Sequence, residues 1–149
     1  VTELHVGITG SRHGISSSQL QSATESFTRW TQEGYRVVVH HGDCYGADVS
    51  VADVACRLAL GIVCHPPDND QHRAFFSAGE VRVAKPYLDR NHDIVDESHV
   101  LLAFPTGAQE TTRSGTWATT RYASRRMRPE CVWVIPPDGV PINYHDLKK

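Results

Sequence analysis

Three glycine-containing stretches gather the residue types that bind anions: Gly10-Ser-Arg-His-Gly14, His41-Gly-Asp-Cys-Tyr-Gly-Ala-Asp48, and Pro105 through Thr116. In the last, Arg113-Ser-Gly-Thr116 opens a helical pattern that runs through Tyr122 to Arg126. A helix start leaves backbone N–H groups unpaired and pointing outward. Its dipole favours negative charge, and phosphate is the usual occupant. Arg113 adds a fork of donors suited to phosphate or carboxylate. The first stretch works on a smaller scale. Gly10 permits close backbone approach, and Ser11 and Arg12 supply donors. A tight turn carrying a solvated arginine is its plainer reading.

The acids in these stretches have different expected jobs. Asp48 falls at a strand-to-helix turn, where a carboxylate caps free N–H groups. Asp43 lies too far ahead of the helix to be an ordinary cap, so ribose hydroxyls are its expected partners. Glu110, between Gly107 and Arg113, is a candidate general acid or base, against the plainer reading of a solvated loop acid. Trp117 either stacks on a base or joins the core. His40, His41 and Cys44 form an HHxxC cluster without a fourth ligand at recognisable spacing, so no metal is expected. Neither GxGxxG nor the Walker pattern GxxxxGK(S/T) occurs, which disfavours a standard dinucleotide fold and a P-loop NTPase. There is no GxSxG nucleophile elbow either. No cofactor is expected.

These residues must be positioned by one folded unit. A chain of 149 residues, 40% apolar and 21% charged, is long enough for one domain with a real core. Its formal net charge of −2 argues against a dedicated nucleic-acid binder. The densest basic cluster, Arg121, Arg125, Arg126 and Arg128, reads as a solvated helix end. Cys44, Cys56, Cys64 and Cys131 are scattered without a CxxC, which suits free thiols in a reducing compartment. Strand-like residues begin near Leu4 with no leader pattern, so a cytoplasmic location is expected. No run approaches the roughly 18 apolar residues needed to span a membrane.

Apolar runs predict strands at Leu4–Thr9, Arg36–His40, Ile62–His65, His99–Phe104 and Cys131–Ile135. Between them, Ser16 and Gln19 have capping-box spacing ahead of a helix that ends near Gly34. A second helix with an alanine-rich face follows Asp48 and stops at Gly61. A third begins around Asp89-Arg-Asn91. The polar segment from Asp68 to Lys85 reads as a functional loop or lid with room for one short helix. Residues 136–149, with three prolines, read as an irregular tail beyond a single domain at 1–135. The alternation implies an α/β fold: a doubly wound parallel sheet of about five strands with helices on both faces. Ligands in such sheets sit beyond the strands' carboxyl ends, where strand order reverses, and all three loops converge there.

His41 through Asp48, Asp89-Arg-Asn91, Ala103-Phe-Pro-Thr-Gly107 and Ser114-Gly-Thr116, in that order, resemble the SLOG superfamily. That group includes DprA/Smf-like proteins, the LOG enzymes and small YspA-like proteins. The YspA-like branch is the nearest in pattern, and the likeness spans about Val6 to Val134. It implies a Rossmann-like fold that binds nucleotides or nucleotide-derived ligands. By position, Gly10, Ser11 and Arg12 would line the first loop, and Gly42, Asp43, Gly46 and Asp48 the second. Arg90 and Asn91 would reach the ligand from a helix start. Gly107, Ser114, Gly115 and Thr116 would cradle phosphate.

One departure bears on activity. LOG-type enzymes carry PGGxGTxxE, and here Thr120 stands where the catalytic glutamate would lie. A phosphoribohydrolase would need Asp43 or Glu110 as acid, with Arg90 or Arg113 stabilising an oxocarbenium-like sugar. A ligand sensor is the other form of this reading. A DprA-like single-stranded DNA binder is the alternative. The resemblance also implies a homodimer or higher homo-oligomer, with the proline-rich tail as a segment that could cross to a partner.

Overall fold

The computed structural model describes residues 1–148. The chain runs β1 (Glu3–Gly10), α1 (Ser17–Gln32), β2 (Arg36–His41), α2 (Ala47–Arg57), β3 (Gly61–Cys64), β4 (Glu80–Val81), α3 (Tyr87–Asp96), β5 (Val100–Phe104), α4 (Gly115–Arg126), β6 (Val132–Val134) and β7 (Ile142–Asn143). The sheet order is β4-β3-β2-β1-β5-β6-β7. Every pairing is parallel except that of β7 on β6. The chain winds outward from β1 to β4, then returns to lay β5 on the other side of β1. Strand order therefore reverses between β1 and β5.

Strand residues alternate between two covered faces, as period-two geometry requires. On β5, Leu102 and Phe104 join Val6, Ile8, Phe27 and Val51 beneath α1 and α2. Leu101 and Ala103 turn the other way, to Val95, Trp117, Tyr122 and Val132 beneath α3 and α4. Trp117 is thus a core residue, 3% exposed. The capping box of α1 is present: the Ser16 hydroxyl accepts from Gln19 N–H, and the Gln19 side chain accepts from Ser16 N–H. Gln19 also donates to the carbonyls of Pro105 and Ile135, 2.8 Å each, and so ties together the ends of β5 and β6.

Two expectations change. The sheet has seven strands rather than about five, because β4 and β7 are two-residue strands at its margins. The segment expected as an irregular tail supplies β7 and a 3-10 turn at Tyr144–Lys148. Tyr144 is buried in the second core cluster. Lys149, the last residue of that tail, lies outside the described residues. The 68–85 segment contains a 3-10 turn at Asp70–His72 as well as β4. No described helix is long and apolar enough to cross a membrane.

Candidate functional site

A cleft of about 1090 Å³ opens at the carboxyl ends of β1 and β5. Such a switch point is where doubly wound sheets hold ligands. One wall is the loop after β1, with Gly10, Ser11 and Arg12. Its backbone is fixed: Ser11 N–H donates to Phe104 C=O at 3.2 Å, and Ala47 N–H donates to Ser11 C=O at 2.9 Å. The opposite wall is the loop after β5 and the start of α4, with Gly107, Arg113, Ser114, Gly115 and Thr116. The Ser114 hydroxyl caps α4 by accepting from Trp117 N–H. The exposed Arg12 and Arg113 line the cleft without an ion pair to any described residue.

Asp48, Arg90 and Asn91 form the floor. Arg90 is 2% exposed. It donates to the carbonyls of Gly42 and His65 and, at 2.7 Å, to the Asn91 side chain. It therefore clamps the ends of β2 and β3 rather than reaching out to a ligand. Asp48 belongs to the first turn of α2 but does not cap that helix. Its Oδ2 accepts from Gly42 N–H at 3.1 Å and Cys44 N–H at 3.3 Å, within the preceding loop. Its Oδ1 has no hydrogen-bond partner among the described residues. Burial raises the Asp48 carboxyl to about 6, against the opposing pull of Arg90. Cys44 also lines the cleft, but burial, with Asp48 beside it, pushes its thiol up and keeps it protonated.

The remaining candidates are not brought into the cleft. Asp43 is fully buried. Its Oδ2 accepts from Arg73 Nε at 2.9 Å and its Oδ1 from Phe76 N–H at 2.8 Å. The expectation that it takes ribose hydroxyls is corrected. A left-handed backbone (φ 58°) turns it toward the 68–85 segment, which it anchors. Gly42 and Gly46 serve packing instead. A Cβ on Gly42 would meet the Arg90 guanidinium at 2.6 Å, and one on Gly46 (φ 87°) would meet Ser11 C=O at 2.4 Å. Glu110 is also corrected as a catalytic candidate. It accepts from Arg121 at 2.7 Å and from the Tyr144 hydroxyl at 3.1 Å, outside the cleft lining.

Other lining residues went unread in the sequence. Tyr87 and Leu88, 50% and 62% exposed, stand on the first turn of α3 beside the start of α4. The nearest heavy atom to a Cβ on Gly115 would be the Tyr87 hydroxyl oxygen. The available signal was Pro86, which opens α3 two residues earlier than Asp89 suggests. The segment after β3 contributes Pro67, Asp68, Asn69, Gln71 and His72, and nothing in its polar composition marks it as a cleft wall.

No family model matches the sequence, and no curated protein matches it either. Solved structures similar in fold include the following two. One is the structural-genomics target TM1055, with a TM-score of 0.58 and 16% identity over 83% of this chain and 69% of that one. The other is DNA processing protein A from Helicobacter pylori, described for its single-stranded DNA binding mode. It has a TM-score of 0.59 and 17% identity over 83% of this chain and 62% of that one. The chain thus spans about two thirds of the length of each. At these identities the likeness concerns architecture alone: this chain has the α/β, Rossmann-like fold of both.

Proposed function

We propose that this chain is a nucleotide-binding protein of the SLOG superfamily, in its YspA-like branch. A single observation carries the reading. The N-terminus of α4, Arg12 and Arg113 all line one cleft at the point where strand order reverses. Phosphate sits at the first N–H groups of α4, between the two arginines. Tyr87 and Leu88 offer an apolar platform for a base, and Asp48 Oδ1 and Asn91 offer polar contacts on the floor. The fold likeness and the ordered motifs support the family assignment.

Sensing fits the residues better than hydrolysis of an N-glycosidic bond. Asp43 and Glu110 have their oxygens engaged, and Thr120 is fully buried with its hydroxyl on Thr116 C=O. A hydrolase would have to use Asp48. We place the protein in the cytoplasm as a homodimer, a state that light scattering tests.

Thermal-shift titration with ribonucleotide mono-, di- and cyclic phosphates tests the reading, since a ligand of the folded state alone raises its stability. Arg113→Ala should weaken the best ligand about tenfold, the loss of one charge-assisted contact, and leave apo melting unchanged. Absence of a shift with every nucleotide would overturn the proposal. The likeness to a DNA-processing protein favours single-stranded DNA as a second reading. That ligand would show a steep salt dependence, which a mononucleotide held by one or two phosphates would not.

A further inference from the structure

Beneath the β1–β3 side of the sheet, on the face that α3 and α4 cover, the packing is imidazole rather than hydrocarbon. His5 Nδ1 lies 2.7 Å from His40 Nε2, and His40 Nδ1 lies 2.9 Å from His65 Nε2. His5 Nε2 lies 3.1 Å from a Glu3 carboxylate oxygen. His40 and His65 are 1% and 2% exposed. Glu97 closes the row, with ligating atoms of His40, His65 and Glu97 all within 4.8 Å of one another. We propose that His40, His65 and Glu97 form a binding site for a divalent transition-metal ion of borderline softness, such as zinc, outside the nucleotide cleft.

The hydrogen-bond directions fit this assignment. Glu3 is acceptor-only, so His5 Nε2 carries a proton and Nδ1 accepts. His40 Nε2 must then donate to His5, which leaves the His40 Nδ1 lone pair facing His65 and Glu97. A ligating histidine whose other ring nitrogen donates into a chain ending on a carboxylate is the usual outer-shell arrangement of a metal site. His65 donates from Nε2 to His40, and its Nδ1 is neither bonded nor sealed from solvent. Moving that proton to Nδ1 frees the second lone pair without creating a charge. Two imidazoles, one carboxylate and a water would complete a four-coordinate set.

Arg82 is the apparent competitor, since its Nη2 lies 2.7 Å from Glu97 Oε1. It also reaches Glu80 at 2.6 Å, so it keeps an ion pair if Glu97 turns to a cation. A second cluster, His41, Asp43 and Cys64, has similar proximity but fails on chemistry. His41 Nδ1 accepts from Asp43 N–H, so its Nε2 holds the proton, and both Asp43 oxygens are engaged. The HHxxC reading fails as well, because His40 and His41 are strand neighbours and point to opposite faces.

Cobalt(II) titration of chelator-treated, tag-free protein at neutral pH reads the site through visible d–d bands. A four- or five-coordinate site produces them strongly, and the hydrated ion does not. Wild type should show saturable bands that zinc displaces. Glu97→Gln, a half-exposed position, should fold normally and weaken cobalt tenfold or more. Arg82→Gln should tighten it severalfold by releasing Glu97. The absence of bands in folded wild type at millimolar cobalt overturns the proposal. So does binding that Glu97→Gln leaves unchanged, because the ion then sits on other histidines.

Discussion

The loops after β2 and β5 are both glycine-bearing strand-to-helix turns, yet one is closed and the other open. In the loop after β2, Gly42 leaves room for the Arg90 guanidinium and Gly46 for the Ser11 backbone. Both of its acids are buried and bonded. In the loop after β5, a Cβ on Gly107 would meet nothing within 4 Å, and Arg113 is exposed without an ion pair to any described residue. Glycine in the first loop admits protein atoms, and glycine in the second leaves space. Similar local sequence therefore builds a foundation in one place and a cleft wall in the other.

The contrast can be broken most forcefully at Gly46. Gly46→Ala puts a Cβ against Ser11 C=O on a left-handed backbone, and should cost roughly 3 kcal/mol or more in urea unfolding. Its control, Gly107→Ala, should stay within about 0.5 kcal/mol of wild type. Equal effects would erase the distinction between the two loops.

Asp43→Asn comes next. It removes the charge that holds Arg73, and should cost about 2 kcal/mol. Hydrogen exchange should show faster opening of the Phe76 amide and of the 68–76 wall. If apo stability holds and only nucleotide affinity falls, Asp43 is a ligand residue after all.

A smaller effect of opposite sign is expected at Asp48. Its carboxyl is raised to about 6 from an ordinary value near 4, so the folded state binds the proton more tightly than the unfolded one. Protonated Asp48 is the better-accommodated form, and its advantage is lost as pH rises from about 4 through about 6. Asp48→Asn keeps an oxygen for the two loop N–H groups and carries no buried charge. It should match wild type near pH 4 and exceed it by about 1–2 kcal/mol at pH 8. Parallel pH–stability curves for the two proteins would remove this difference between the acids.

The pattern of what was legible follows the range of the interactions. The strands that form the middle of the sheet announce themselves as apolar runs, and Ser16 with Gln19 announces the first helix. The strands at Glu80–Val81 and Ile142–Asn143 are too short to carry a period, and they exist because β3 and β6 offer them an edge. The floor and walls of the cleft follow from topology, which the alternation of strands and helices dictates. The jobs of Asp43 and Asp48 do not follow: Asp43 holds the 68–85 segment instead of facing the cleft, and Asp48 accepts from the N–H groups of its own loop instead of capping α2. Spacing places both at one turn, but the outcome depends on a left-handed φ at Asp43 and on Arg73, thirty positions away. Glu110 is similar, because its partner Tyr144 lies thirty-four residues downstream.

That last contact has a consequence for synthesis. The ribosome makes the β5–α4 loop well before it makes Tyr144, so the hydroxyl that holds Glu110 arrives only when the 3-10 turn emerges and seats its ring in the core. The strands β1 to β6 can pair during translation while the loop that forms this wall of the cleft still lacks its Tyr144 contact.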